Sequence, residues 1–265
     1  MAREFSFYQR VALELNRAVL KNRVEEHELH QLFWECTLRC NLNCRHCGSD
    51  CRTLSEQADM PLADFLGVLD EIKLHEDPSK IMVITTGGEP LMRKDLAHCG
   101  AEITRRGFVW GMVSNGMFLS HEKIDELCRA GLRSIAVSFD GFKDDHNWMR
   151  GHPESYDRVL AAIEGLKRHP ELTWDVITCV NQRTIQYLPQ FRDFLLELGV
   201  PKWRLFTVFP FGRAANEPEL RLTNAQFVAM MEFIKQTRLE GKIRVDYGCD
   251  GFLGRYEGKV RSHFF

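Results

Sequence analysis

Long uncharged apolar segments are missing from this sequence of 265 residues. None reaches the roughly 18 residues that suggest a membrane span, and charged residues interrupt the N-terminal region, unlike a secretory signal. A strong charge imbalance is missing too, because the formal net charge is −2 and the pI is near 6.6. These absences argue against a membrane protein and a strongly basic nucleic-acid binder. We therefore expect a cytoplasmic protein without a nucleic-acid or membrane partner.

Cysteine is the one residue type that is unusually frequent. Nine cysteines are present, and five of them lie between Cys36 and Cys51. Without export the thiols stay reduced, so a disulfide framework is not expected. Clustered reduced thiols are more often metal ligands or catalysts. The hydrophobic and charged fractions, 44% and 27%, are ordinary for a globular protein of one large domain or two small ones.

Short apolar runs alternate with amphipathic segments along the chain. After a helical N-terminal region, the pattern predicts strands at Leu32–Glu35, Ile81–Thr85, Phe108–Val113, Ser134–Phe139, Thr173–Val180 and Arg204–Phe209. It predicts helices at Ala63–His75, Lys94–Arg105, His121–Ala130, Ser155–Arg168, Ile185–Leu198 and Asn224–Leu239. This alternation indicates an α/β fold with parallel strands and crossover helices. Periodicity alone leaves an open sheet and a barrel as alternatives.

Polar and glycine residues follow each of the six predicted strands. They are Cys40–Cys51, Gly87–Pro90, Ser114–Gly116, Asp140–Gly141, Asn181 and Pro210–Arg213. In both architectures the carboxyl ends of parallel strands form the ligand-binding edge. We therefore expect the functional site at this edge.

The first of these loops contains three cysteines, Cys40, Cys44 and Cys47, in a C-x3-C-x2-C spacing. Soft thiolate ligands suit an iron–sulfur cluster, and three of them leave one iron of a [4Fe–4S] cluster open. A fourth thiolate, from Cys36 or Cys51, would close the cluster and give a non-enzymatic iron–sulfur protein. A local zinc site that includes Cys51 and a thioredoxin-like redox pair are further alternatives.

The remaining cysteines have simpler interpretations. Cys36 falls in the first predicted strand, and we interpret it as a small core residue. Cys99, Cys128 and Cys179 fall in predicted helices or strands and are interpreted as packing residues. The role of Cys51, a spare thiol or a ligand, stays open.

Two motifs together resemble the radical S-adenosylmethionine (SAM) superfamily. The three-cysteine motif follows the first predicted strand, and Gly87-Gly88-Glu89-Pro90 follows the second. The resemblance covers roughly residues 32–213 and implies a partial (β/α)6 barrel at 31–240, preceded by an N-terminal helical extension at 1–30. The phrases SFDG, HNWMRG and FPFGRA resemble the peptide- and protein-modifying branch that carries SPASM or twitch extensions.

The resemblance implies a role for each motif residue. Cys40, Cys44 and Cys47 would ligate a [4Fe–4S] cluster whose open iron chelates SAM. The remaining SAM contacts would come from His46, Gly87, Gly88, Glu89, Pro90, Ser114, Asn115, Ser138, Asp140 and Arg150. Among these, the two glycines would admit the methionine moiety and Glu89 would fix its ammonium group, while Pro90 stiffens the turn. His46 departs from the family pattern, where a large aromatic residue is common, but an imidazole can still stack on adenine.

The reaction implied by the resemblance is reductive cleavage of SAM to a 5′-deoxyadenosyl radical, which abstracts hydrogen from a substrate. An external one-electron donor of the flavodoxin or ferredoxin type would supply the electron. The expected substrate is a peptide or protein, and a small metabolite such as a tetrapyrrole or sugar is the alternative. No catalytic side chain beyond the cluster ligands is expected.

Residues 241–265 resemble the start of a C-terminal SPASM- or twitch-like extension. Cys249 stands where such an extension begins its auxiliary-cluster ligands, but no further cysteine follows it. The sequence ends on the apolar pair Phe264-Phe265. We therefore expect a truncated gene or a fragment, in which Cys249 alone cannot assemble an auxiliary cluster.

Overall fold

The structure is a computed structural model that describes residues 6–249 and 251–261. Its strands are β1 Gln31–Thr37, β2 Met82–Gly87, β3 Val109–Ser114, β4 Leu132–Ser138, β5 Thr173–Val180, β6 Lys202–Thr207 and β7 Arg244–Tyr247. Its α-helices are α1 Phe7–Glu26, α2 Leu62–Ile72, α3 Leu96–Arg105, α4 His121–Arg129, α5 Lys143–Arg150, α6 Ser155–Leu166, α7 Leu188–Glu197 and α8 Asn224–Glu240. The terminal pair Phe264-Phe265 lies outside the described residues.

The seven strands form one parallel sheet in sequence order, from β1 to β7. Within residues 6–249 and 251–261, β1 and β7 do not pair with each other, so the sheet is open. The predicted α/β partial barrel is thus confirmed, with the helical region α1 before it. The alternating run at 242–247 supplies β7, which pairs with β6 and extends the six predicted strands to seven.

Local geometry explains where several helices begin and end. The Ser120 hydroxyl caps α4 by accepting a hydrogen bond from the Lys123 amide at 3.2 Å. Gly107, Gly131 and Gly199 follow helices with φ values of 91°, 106° and 74°, a region that glycine enters at little cost.

Two predictions of secondary structure were wrong in detail. The sixth strand ends at Thr207 rather than Phe209, so Val208 and Phe209 belong to the loop at the functional edge. The segment from Lys143 to Arg150 forms α5, although no helix was predicted there. Its polar composition hides the helix, because only one face is buried, through His146, Met149 and Arg150.

The core lies between the sheet and the helices that cover it. On the β1 side, the Trp34 ring stacks on Phe65 of α2 with centroids 3.9 Å apart. Buried tryptophans on two other strands also satisfy their indole N–H groups. Trp110 donates to Thr85 at 3.1 Å, and Trp203 donates to Thr178 at 2.8 Å. The strand positions, and with them the strand ends, are therefore fixed by packing. Among the described helices, none combines the length and apolar character needed to cross a membrane.

Candidate active site

The loops that follow β1–β4 meet in one pocket, which we call the thiol pocket. Most of the predicted site residues line it: Cys40, Cys44, His46, Cys47, Gly87, Gly88, Glu89, Ser114, Asn115, Ser138 and Arg150. Cys51, Thr86, Val113 and Arg213 line it too. Two predicted residues, Pro90 and Asp140, are buried but do not line this pocket.

Three thiols converge at the base of the thiol pocket. Cys40 and Cys44 are each 8% exposed, and Cys47 is half-buried. Burial raises the pKa of Cys40 to about 11 and raises that of Cys44, against the opposing effect of Arg150. Without a metal the Cys40 and Cys44 thiols are therefore protonated, and binding of a thiolate-ligated metal centre would release protons. Three soft sulfur donors in one loop favour iron–sulfur over oxygen-preferring metals.

Two side chains approach the thiol sulfurs from the opposite wall. The Asn115 Nδ2 lies 3.8 Å from the Cys40 Sγ, and an Arg150 guanidinium nitrogen lies 3.8 Å from the Cys44 Sγ. Hydrogen-bond donors at this position stabilise negative charge on sulfur. The surroundings therefore suit thiolate ligands.

The glycines of the second motif pack against the chain that leads into the loop Cys40–Cys51, which we call the thiol loop. A Cβ on Gly87 would lie 2.1 Å from the Thr37 carbonyl oxygen, and one on Gly88 would lie 2.2 Å from that of Arg39. The Gly88 amide donates to Thr37 at 2.8 Å, and the Glu89 amide donates to Arg39 at 2.9 Å. Glycine is thus required here because the two backbones touch, which fixes the second motif against the first.

Glu89 sits at the centre of a buried hydrogen-bond cluster. Its side chain is 1% exposed and accepts from the Ser114 hydroxyl at 2.9 Å, the Asn115 amide at 2.8 Å and the Leu91 amide at 3.2 Å. Burial raises its pKa to about 7, although these donors act in the opposite direction. A cation placed in the pocket would favour the carboxylate. Three residues that were predicted from separate motifs thus form one unit.

Asp140 and Arg150 form a buried ion pair behind the thiol pocket. The Arg150 Nε donates to the Asp140 carboxylate at 2.7 Å, and the other carboxylate oxygen accepts from the Cys179 amide at 2.9 Å. Burial opposes ionisation of Asp140, but the Arg150 guanidinium outweighs it and lowers the pKa of this carboxyl. The Asp140 amide in turn donates to His146 Nδ1 at 3.0 Å. The pair therefore holds a fixed position beside Cys44.

His46 lies between the thiol pocket and the neighbouring cavity, and it lines both. Burial lowers its pKa to about 4, so the imidazole is neutral near pH 7. Its Nδ1 is buried and has no hydrogen-bond partner within residues 6–249 and 251–261. An unpartnered ring nitrogen at a pocket wall suits a bound heteroaromatic group.

Sequence reasoning missed two residues that position this site, His146 and Arg213. His146 lies on α5, which was not predicted, and accepts the Asp140 amide. Arg213 clamps the thiol loop, because its Nε donates to the Cys44 carbonyl at 2.7 Å and its amide donates to the Cys47 carbonyl at 3.0 Å. Both stand in phrases that carried the resemblance, HNWMRG and FPFGRA, and that was the available signal.

A second, more open cavity lies beside the thiol pocket at the ends of β5 and β6. It has a volume of about 400 Å³ and is lined by His46, Gly48, Ser49, Cys179, Thr207, Val208, Phe209 and Phe211. Phe209 and Phe211 are 78% and 66% exposed. Cys179, interpreted from sequence as a packing residue, packs against the buried cluster of Met149, Val208, Ala214 and Leu220 but also lines this cavity. Cys36, in contrast, is a buried core residue as expected.

The sequence matches the Radical SAM superfamily over residues 34–195, and the chain belongs to this superfamily. The enzymes of this superfamily characteristically use a [4Fe–4S] cluster and SAM. The match spans both motifs and every predicted site residue. The thiol pocket agrees with these cofactors in its donor set and its unpartnered His46 nitrogen.

Curated relatives include enzymes with different substrates. The chain is 28% identical over 219 residues to the AdoMet-dependent heme synthase of Methanosarcina barkeri, covering 82% of this chain and 61% of the relative. It is 24% identical over 217 residues to the PqqA peptide cyclase of Bradyrhizobium diazoefficiens, covering 80% and 56%. The chain thus spans a little over half the length of these relatives.

Solved structures with low sequence identity share the fold. Streptococcus suis SuiB bound to its precursor peptide SuiA superposes with a TM-score of 0.69 at 12% identity. The match covers 96% of this chain and 57% of SuiB. At this identity the likeness concerns the fold, which is the open α/β barrel described above.

Proposed function

We propose that this member of the radical SAM superfamily reductively cleaves SAM and abstracts a hydrogen atom from a substrate held in the cavity beside the thiol pocket. When bound, the cluster and SAM supply the chemistry, namely one-electron cleavage of the sulfonium followed by hydrogen abstraction. The chain itself binds, orients and shields these groups. The proposal includes an external one-electron donor of the flavodoxin or ferredoxin type.

The observation that supports the proposal most directly is that three thiols, two of them buried, meet two carboxylates that are already held by hydrogen bonds. Cys40, Cys44 and Cys47 would ligate the cluster. Glu89, held by Ser114 and Asn115, would accept the ammonium group of SAM, and Arg150, held by Asp140, would meet its carboxylate. Because these groups are already fixed by hydrogen bonds, binding costs little reorganisation.

Four further residues complete the proposed SAM site. Gly87 and Gly88 line the thiol pocket, and they would contact the methionine moiety through their backbone. Ser138, the last residue of β4, would contact the ribose, and His46 would stack on the adenine. No protein acid, base or nucleophile is needed for cleavage.

The proposal is tested by anaerobic reconstitution with iron and sulfide, followed by dithionite and SAM. We expect about four irons per chain and release of 5′-deoxyadenosine, detected by mass spectrometry. A variant with Cys40, Cys44 and Cys47 changed to Ala should lose both. Cys128→Ala, which removes a thiol of α4 outside the thiol pocket, should retain both. Equal 5′-deoxyadenosine from the triple variant would refute the proposal.

For the substrate, we favour a peptide or protein. The cavity beside the thiol pocket is open rather than closed over, which suits a chain passing through it. SuiB, which shares this fold, has been solved bound to the precursor peptide SuiA, and a relative in sequence is named PqqA peptide cyclase. Hydrogen–deuterium exchange with small peptides encoded beside this gene should protect the backbone around Phe209 and Phe211. Protection only at other surfaces would oppose the assignment.

A tetrapyrrole is the second candidate, and a specific observation favours it. Two exposed phenylalanine rings, Phe209 and Phe211, stand at the cavity that Cys179 and Thr207 also line. Exposed aromatic faces suit a flat macrocycle, and the heme synthase of Methanosarcina barkeri is among the relatives. Titration with iron coproporphyrin, followed at the Soret band, tests this candidate. Saturable binding that Phe211→Ala weakens would support it.

A further inference from the structure

Cys51 is a fourth thiol of the thiol pocket, and the proposed function leaves it without a role. Its side chain is 4% exposed, and it lines the pocket together with Cys40, Cys44 and Cys47. Its neighbours in the small buried cluster are these thiols and three apolar side chains, Leu38, Leu42 and Met117. Cys51 therefore places a fourth sulfur atom in the pocket that contains the three sulfur atoms of the cysteine motif.

The backbone fixes Cys51 next to the first cluster cysteine. Arg39 and Arg52 form an isolated parallel bridge, and the Cys40 amide donates to the Arg52 carbonyl at 2.7 Å. The loop that starts at Cys40 thus closes at Cys51–Arg52. The closing end of the loop is held in place, because the hydrogen bond between Cys40 and Arg52 has a normal length and its donor is buried.

Two further restraints hold the same end of the loop. Asp50 adopts a left-handed backbone with φ 47°, which is uncommon for a residue other than glycine. Its carboxylate accepts from Arg213 at 2.6 Å, and the same guanidinium donates to the Cys51 carbonyl at 3.1 Å. Arg213 also holds the Cys44 carbonyl, so one side chain ties the middle of the thiol loop to its closing end. The strained turn is thus fixed where it presents Cys51.

Within residues 6–249 and 251–261, the Cys51 sulfur has no strong hydrogen-bond partner. Its Sγ lies 3.9 Å from the Ser49 carbonyl oxygen, a long contact, and its other interaction is with the Cys47 thiol. A buried thiol that is held by the backbone and contacts another metal-ligating thiol is placed as a ligand would be. A packing role alone would not require three restraints on its backbone.

We propose that Cys51 is the fourth thiolate ligand of the [4Fe–4S] cluster while SAM is absent, and that it leaves the iron when SAM binds. The inference rests on the proposed function, since it assigns the fourth iron to SAM in the active complex. Cys51 is thus an exchangeable ligand that protects the fourth iron until SAM binds.

The exchange balances without any redox change. The iron–sulfur bond to Cys51 breaks, and bonds from the SAM amino and carboxylate groups to the same iron form. The SAM ammonium must lose a proton to become a ligand, and the departing Cys51 thiolate takes up one proton and becomes a thiol. The irons keep their oxidation states.

The test uses the reconstituted chain with Cys51→Ala, and Cys128→Ala as the matched control. Without SAM, substoichiometric ferricyanide should convert the Cys51→Ala cluster to the [3Fe–4S] form several-fold more than the wild-type or Cys128→Ala cluster, as measured by electron paramagnetic resonance. With saturating SAM the difference should disappear. Because Cys51→Ala removes a competing ligand, its SAM affinity should rise about tenfold.

Each contrary outcome has a distinct meaning. Equal [3Fe–4S] yields from wild type and Cys51→Ala, both holding about four irons, would overturn the Cys51 proposal and leave the proposed function intact. Loss of the cluster in Cys51→Ala would make Cys51 a permanent ligand and overturn the exchange. Cys51→Ser keeps the side-chain volume and a weaker ligand atom, and it should give an intermediate yield of the [3Fe–4S] form. This variant separates loss of a ligand from misfolding. Iron retained after removal of Cys40, Cys44 and Cys47 would instead count against the proposed function.

Discussion

The functional edge of the barrel has two sides that are built differently. On the thiol side, formed by the loops after β1–β4, charged groups are buried and paired, as in Asp140–Arg150 and the Glu89 cluster. On the open side, at the ends of β5 and β6, Phe209 and Phe211 stand exposed at a cavity of about 400 Å³. The thiol side is therefore preorganised, whereas the open side leaves two large aromatic side chains unburied.

This difference shows how one chain separates a shared chemistry from a particular substrate. A cofactor of constant structure favours groups fixed in advance, because each ordered contact then costs no entropy on binding. A substrate side can vary without disturbing that framework, since its residues carry little of the fold's stability. Substitutions on the two sides should therefore differ in their effects on stability, and the following predictions measure that difference.

The largest effect is expected when the buried ion pair of the thiol side is broken. Arg150→Met leaves the Asp140 carboxylate buried without its partner, so the free energy of unfolding should fall by about 3–5 kcal/mol. Urea denaturation of the cluster-free protein at pH 7 measures this. Arg158→Met is the control, because Arg158 pairs with Glu154 on the surface, where both side chains are more than half exposed, and it should cost under about 1 kcal/mol. Similar costs for the two variants would mean that the thiol side is not preorganised by this pair.

Glu89 should give the thiol side a characteristic pH dependence. Burial raises its pKa from 4.5 to about 7, so between these values the folded state binds more protons than the unfolded state. The unfolding free energy due to Glu89 therefore falls as pH rises through this window, by roughly 3 kcal/mol in total.

The measurement compares wild type with Glu89→Gln by urea denaturation from pH 4 to pH 8, without cofactors. The difference isolates Glu89, since burial lowers the pKa of His46 to about 4 and of His146 to about 3, and these histidines give the opposite slope in both proteins. Wild type should lose stability relative to Glu89→Gln as pH rises. Parallel pH curves would show that the Glu89 carboxyl titrates normally.

A smaller effect is expected where the two motifs touch. In Gly88→Ala the new Cβ would meet the Arg39 carbonyl oxygen at 2.2 Å, so the backbone that leads into Cys40 must move. We expect a loss of about 1–3 kcal/mol and less iron bound after reconstitution. Gly67→Ala is the control, because a Cβ at this position in α2 meets nothing within 4 Å and should stabilise the helix by up to about 1 kcal/mol. Full iron loading of Gly88→Ala would show that the contact does not position the thiol loop.

The thiol side is also the part that the sequence predicts well. Its residues stand in short motifs at strand ends, and the parallel order of the strands brings those ends to one edge. Local spacing and topology together therefore predict that Cys40, Glu89 and Asn115 meet. Arg150, at the end of the unpredicted α5, was implied by the family resemblance alone. The resemblance implied that Gly87 and Gly88 admit the methionine moiety. In the structure, their missing Cβ atoms make room for the carbonyl oxygens of Thr37 and Arg39, which the sequence did not predict.

The features that the sequence did not predict depend on contacts between distant segments. Arg213 clamps the thiol loop from 163 residues away, as its bond to Asp50 shows, and no local pattern encodes such a pairing. His146 was hidden because α5 is polar and short. Cys179 lies on β5 and borders the open cavity. An alternating pattern of apolar residues cannot distinguish a strand face that is packed from one that borders a cavity.

The smallest effect on stability is expected on the open side, and it separates folding from binding most clearly. Because Phe209 and Phe211 are 78% and 66% exposed, replacing either with Ala should change the free energy of unfolding by no more than about 0.5 kcal/mol. Loss of one aromatic contact should nevertheless weaken binding of a peptide or porphyrin about tenfold, while 5′-deoxyadenosine formation without substrate is unchanged. Leu74→Ala, at a residue that is 71% exposed after α2, should change neither quantity. A stability loss above 2 kcal/mol at Phe209 or Phe211 would mean that the open side is part of the folded core, and the contrast between the two sides would then be lost.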